Sequence, residues 1–447
     1  AEANPKSPWV VGRGWVYGSF PGGLPTKEQL DALVPDRPAY MDGYDGHTGW
    51  ANSRALALAG ITRETKDPVN GVIVRDPKTG EPTGALKEAA GALVEDLIPE
   101  PDAERHYALL LKALEMLNRT GVTAVQDAGW TKEEAARFLP LLERARKEGK
   151  LTVRVRLTAD VDPADPAAGI AEAIRLRTLY PDGPIVLGGV KGYVDGVIEA
   201  HTAAMLAPYS DDPSLGAGTP RWEKAALEKA VAAADREGLQ VWLHAIGDRG
   251  IRMALDAYEA AAKANGPRDR RHRVEHVEAV SAADAPRFGA LGVVAAMQPL
   301  HANPDQNNAD VWSRNVGPER AGRGFAWRLI EQAGGRIAFG SDWPVVTPDV
   351  FRGLWCAVAR KTREGTSAGG WQPQLAVSVE SALRHYTADA AFAGYAEKER
   401  GTIAAGKRAD LVVLSRDLRS APLEEILRTR ALLTLFEGKV VWRDPAF

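Results

Sequence analysis

From about residue 120 onward the apolar positions keep two alternating rhythms. Short β-rich runs occur at Gly121–Gln126, Leu151–Leu157, Ile185–Tyr193, Leu239–Ala245, Arg271–Val277, Gly292–Gln298 and Arg336–Gly340. Between them, at Lys132–Glu148, Ala168–Leu179, Lys224–Glu237 and Gly250–Ala264, apolar residues recur every three or four positions, as they do earlier at Ala103–Leu117. That spacing predicts amphipathic helices. Two of these end at Gly149 and Gly238, the residue type that helix C-termini prefer. Strands alternating with helices predict βα units and a parallel sheet. Seven runs suit an open doubly wound sheet, or a (β/α)8 TIM-like barrel that lacks its first strand.

Both ends of the chain break this rhythm. Near the start, Pro38–Tyr44 reads as a strand, and Val72–Arg75 with Gly84–Lys87 reads as a hairpin around Asp76–Gly80. Asn52 is placed to cap a short helix, Ser53–Leu58. This segment reads as an elaborated insertion. After residue 400, Gly401–Ile403, Ala409–Leu414, Ala431–Phe436 and Lys439–Trp442 read as strands, with a turn at Glu437-Gly438. The expected division is 1–118 as the insertion, 119–398 as the barrel and 399–447 as a small β-sandwich module.

Composition narrows the classes. The 447 residues are 45% apolar and 26% charged, as in an ordinary globular protein. A net charge of −3 gives no basic surface for nucleic acid or for a membrane. The single cysteine, Cys356, excludes an intrachain disulfide and a cysteine-based zinc cluster. No run of 18 apolar residues predicts a transmembrane helix. The chain begins at Ala1 without a Met, so any signal peptide would precede it; a cytoplasmic location is expected.

The chemistry gathers at strand ends. Lys191, His244, His276 and Asp342 each close one of the runs, and in parallel α/β folds the site lies at the C-terminal ends of the strands. Two imidazoles and a carboxylate suffice for a catalytic zinc-type site with an open position. The ion lowers the pKa of a bound water to about 7. A buried lysine loses its proton more easily, and the neutral amine can take up CO2 as an anionic carbamate. Taken singly, each residue has a plainer reading: a hydrogen-bonded histidine, a salt-bridged lysine, an aspartate in a turn. The four together point to a metal site.

These residues stand in stretches that resemble the amidohydrolase superfamily, in particular its amidohydrolase-3 branch of N-substituted formamide deformylase-like enzymes. The stretches are Asp36-Arg37-Pro38 with Gly46-His47 and Asn52–Leu56, Gly121–Ala128, Lys191 with Asp195-Gly196 and Thr202–Ala204, Leu243–Asp248, Glu275-His276, Gly340–Pro344, and Gly401–Leu411. The resemblance implies a carboxylated Lys191 bridging the metals, His244 and His276 on a second metal, and Asp342 on the first metal and as general acid/base. It implies hydrolysis of a non-peptide, amide-like C–N bond by metal-activated hydroxide, with zinc as the expected ion and iron, manganese or nickel as admissible ones. A small-molecule substrate and a homodimer follow from it too. His47 is expected to reach the pocket from the insertion, Gln298 to touch substrate, Glu199 and His201 to line the pocket, and Trp343 to wall it or to pack. His106, His272, His301 and His385 are read as structural.

One departure matters. The family's first strand ends in a His-X-His pair, and no two histidines of this chain are two residues apart. The resemblance begins mid-domain, at Trp9–Trp15. The first strand and half of the small domain are therefore expected upstream of Ala1 or in a second chain that completes the barrel. A truncated chain with a one-metal site is the third reading. Functionally, ester, lactone or cyclic-imide hydrolysis at the same site, or a non-catalytic barrel remnant, remain the alternatives.

Overall fold

The computed structural model describes residues 7–305, 307–365 and 369–447. Its first strands, β1 (Val10–Trp15), β2 (Ala39–Gly43), β3 (Thr48–Ala51), β4 (Gly71–Arg75) and β5 (Pro82–Glu88), form one sheet in the order β1-β2-β3-β5-β4. The expected hairpin is β4–β5, and Asn52 caps Ser53–Leu58 by accepting from the Ala55 N–H. β3 is buried along its whole length, so it lacks the alternation that marks a half-exposed strand.

The seven runs become β6 (Ala124–Trp130), β7 (Arg154–Asp160), β8 (Ile185–Tyr193), β9 (Gln240–Ala245), β10 (Arg273–His276), β11 (Val294–Met297) and β12 (Arg336–Phe339). They pair in chain order, all parallel. The sheet curls as a (β/α)8 barrel does, with seven of the eight strands. β9, β10 and β11 are buried throughout, because helices and the barrel interior cover the two faces of a parallel sheet. β6 and β12 are the free edges. Ala124 and Asp127 of β6 and Ala338 and Phe339 of β12 line one cavity of about 1290 Å³.

The helix Ala103–Arg119 buries Tyr107, Leu114 and Leu117 in the barrel core, beside Leu139 and Leu142 of the helix Lys132–Lys147. It lies with the barrel, across the expected division at 118/119. At the C-terminus, β13 (Leu411–Leu414), β14 (Ala431–Phe436) and β15 (Lys439–Arg443) form an antiparallel sheet. Arg154 of β7 joins this sheet to the barrel: it pairs with Asp410 and Glu437 and lies 4.4 Å over the Phe436 ring. The expected strand Gly401–Ile403 is not one. Gly401 turns at φ 92° with its α-carbon side against Ala391 and Thr387, and Ile403 is exposed. Among the described residues, no helix is long and apolar enough to cross a membrane.

Candidate active site

β8, β9 and β10 carry Lys191, His244 and His276 at their C-terminal ends, and Asp342 follows β12. Parallel pairing sets His244 beside Glu275 and Tyr193, so the neighbouring strands end at one level. His276 (φ 76°), Val277 (φ 52°) and Asp342 (φ 57°) all adopt left-handed backbone. For the β-branched Val277 that is a true outlier, and such strain gathers where a site dictates the backbone.

The two strand-end imidazoles are held in defined tautomers. His276 donates from Nδ1 to Oε1 of Gln298 at 3.0 Å, and the Gln298 amide is fixed in turn by donating to the Ala296 carbonyl. His244 donates from Nε2 to the Gly196 carbonyl at 3.1 Å. Nε2 of His276 and Nδ1 of His244 are therefore left with lone pairs, the arrangement that outer hydrogen bonds give to metal-ligating histidines. Burial lowers both pKa values, that of His276 to about 3, so both rings are neutral. Burial works the other way on Asp342, yet the imidazoles of His276 and His301 and the Lys191 ammonium outweigh it and hold the carboxyl below its usual range. Neutral imidazoles facing an ionised carboxylate are the donor set that a divalent ion needs.

Asp195 anchors this wall. Its buried carboxylate accepts from the backbone N–H groups of Ala204, Ile246 and Gly247, and lies 3.6 Å from His244 Nε2. Gly247 is required there, since a Cβ would fall 2.1 Å from the Ala204 carbonyl oxygen. Lys191 is buried, with Nζ 4.4 Å from the centre of the Tyr193 ring.

The other expected residues divide. His47 lies 5.3 Å, ring to ring, from His244 and bonds Glu88 at 2.9 Å. Burial disfavours its charge, but Glu88 more than offsets this and raises its pKa to about 9. It is an imidazolium and not a free ligand. Gln298 touches His276, as described. Glu199 is buried and accepts from the Tyr44 hydroxyl at 2.9 Å. His201 is turned to Asp211 at 3.0 Å and packs edge-on against Tyr209. Trp343 is 43% exposed, and lines the cavity together with Lys191, His276, Gln298 and Asp342.

His301, read from the sequence as structural, lies in the site. Its ring stacks on His276 at 5.8 Å and 10°, extending a row of four imidazoles, His47, His244, His276 and His301. Its Nε2 lies 3.8 Å from Asp342 Oδ2. The available signal was its place three residues beyond Gln298, at the C-terminal end of β11. His272 and His385 are structural: each is buried against an aspartate, Asp235 and Asp389.

Comparison with known proteins places this geometry. The model of the amidohydrolase family matches residues 1–442. The chain is 34% identical over 414 residues to protein LONG AFTER FAR-RED 3 of Arabidopsis thaliana, across 91% of this chain and 69% of that protein. It is 30% identical over 420 residues to N-substituted formamide deformylase of Arthrobacter pascens, across 93% of this chain and 75% of that enzyme. The crystal structure of an uncharacterized metal-dependent hydrolase from Pyrococcus horikoshii OT3 superposes with a TM-score of 0.70 at 25% identity, covering 94% of this chain and 79% of the other. The chain belongs to the amidohydrolase family of metal-dependent hydrolases, in its amidohydrolase-3 branch.

Proposed function

We propose that this chain hydrolyses a small non-peptide amide at its C–N bond. The proposed ion is zinc, held by His244, His276, Asp342 and Lys191 in its CO2-derived carbamate form. The observation that carries the reading is the meeting of neutral imidazoles, their lone pairs set by Gln298 and Gly196, with an ionised Asp342 at one end of a parallel sheet. The name of the relative from Arthrobacter pascens supports an N-substituted formamide as the first substrate to try. The ion, when bound, supplies Lewis acidity and a water that ionises near neutral pH.

The remaining work falls to the chain. Asp342 takes a proton from the attacking water and returns it to the departing amine nitrogen. Gln298 and the Gly196 carbonyl hold the two imidazoles in place. Lys191, buried beside Tyr193, is the amine that would carry the CO2-derived carbamate. The cavity of about 1290 Å³ has room for a small organic substrate. As part of the same reading, the flank between β6 and β12 seats an eighth strand, from chain preceding Ala1 or from a second polypeptide, which native mass spectrometry tells apart.

The test is formate release from an N-alkyl formamide by chain loaded with zinc in bicarbonate buffer. Turnover is expected, falling about 100-fold or more in Asp342→Asn, within the range of general acid–base catalysis. No release from this or any other amide by the zinc-loaded chain overturns the reading. Full activity restored by zinc alone in CO2-free buffer overturns the carbamate.

A further inference from the structure

The ligand set carried by resemblance comes from β8, β9, β10 and the segment after β12. It uses nothing from β11. Yet His276, His301 and Asp342 each offer a ligand atom, and these three atoms all lie within 4.8 Å of one another. Among the described residues no other group of three or more histidine, cysteine or acidic side chains meets that spacing. His244 stands outside it, although its ring centre is 4.5 Å from that of His276.

The orientation around His301 fits a ligand. Its ring lies nearly parallel to His276, with Nε2 toward Asp342. On the opposite edge, Nδ1 lies 3.9 Å from Oε1 of Glu278, and Glu278 is itself held by the indole N–H of Trp312 at 2.8 Å. At 3.9 Å the Glu278 carboxyl is beyond hydrogen-bond length of this ring, but it stands on the edge where the outer group behind a metal-binding imidazole belongs. Two imidazoles and one carboxylate form a complete catalytic zinc set with an open position.

We infer that His301 is a direct protein ligand of the metal, sharing one ion with His276 and Asp342. This inference rests on the metal-dependent reading above and adds a ligand which that reading does not contain. The resulting three-ligand site is built wholly from residues of the described barrel. It needs neither Lys191 nor a His-X-His pair to hold its ion.

The test uses the full chain, freed of metal and titrated with Co2+. The ligand-field absorption and, after equilibrium dialysis, the ions bound per chain are read for wild type, His276→Gln, His301→Gln and a reference histidine that is not among these ligands, His106→Gln. Loss of His301 is expected to weaken binding by about 100-fold, at or beyond the upper end of what an outer partner is worth, and to change the band as loss of His276 does. His301→Asp, which keeps a donor, is expected to recover binding, and His106→Gln to match wild type. A second arm leaves His301 in place. In zinc-loaded His244→Gln, X-ray absorption fine structure should count two imidazoles on the ion. Unchanged affinity and band in His301→Gln, or one imidazole in His244→Gln, overturns the inference and leaves the metal-dependent reading standing. A wild-type chain that binds neither Co2+ nor Zn2+ overturns both.

Discussion

Gln298 shows how a single side chain sets the chemistry of another. Its Oε1 accepts from Nδ1 of His276 and so decides which ring nitrogen keeps a lone pair. In Gln298→Ala the ring loses its outer partner while the strand end stays covered. Metal affinity should drop about 10- to 100-fold with little change in far-UV circular dichroism, as competition with a chromophoric chelator would show. Strand-end chemistry of this kind is legible in the sequence, because short β-rich runs and the turn residues after them locate where β8, β9 and β10 stop. The partners of those residues are less so. His301 sits in the short turn Pro299–Ala302, where no periodicity points a side chain. His201 follows the Lys191 strand closely in sequence, but its left-handed backbone (φ 59°) and Asp211 draw it to another bond. Proximity along the chain does not fix direction in a loop.

Among the elements, the buried ion pairs decide how the layers hold together. Asp235, near the end of the helix Lys224–Arg236, receives hydrogen bonds from His272, Asn265, Arg270 and Arg268. Burial raises its pKa, but these bonds outweigh burial and hold the carboxyl well below the ordinary 3.8. A folded pKa below the unfolded one stabilises fully above about pH 4 and progressively less as pH falls toward the folded value. Asp235→Asn should therefore lower the urea midpoint most near pH 7, and the gap to wild type should narrow below about pH 4. Arg154 makes the comparable link to the C-terminal sheet. Arg154→Ala leaves Asp410 buried without its cation, a loss of about 3 kcal/mol or more, visible as a lower melting temperature. The barrel strands are readable as short apolar runs bounded by turn residues, and the helices between them by their three- and four-residue spacing. β3 is not, because Thr48 and Gly49 leave its four residues without an apolar run, and neither is the failure of Gly401–Ile403, which has no neighbouring strand to pair with among the described residues.

At the scale of the whole molecule, the sheet ends in two unlike edges. β6 is only partly buried along its length, whereas β9 is buried throughout. Backbone amides of β6 should accordingly exchange with deuterium much faster than those of β9, since local opening follows local burial; equal protection in the two strands would contradict this description. That seven strands belong to an eight-strand design is legible by counting, whereas the shared cavity between the edges depends on the curl of the sheet and is not. Under the proposed reading, this unclosed flank would also act as a proofreader of the strand it seats. A strand entering there must match β6 on one side and β12 on the other at the same time. A slip of one residue turns every side chain to the opposite face, and here the same slip would be rejected by two templates at once. A one-residue slip that a single edge would tolerate would then fail against the pair.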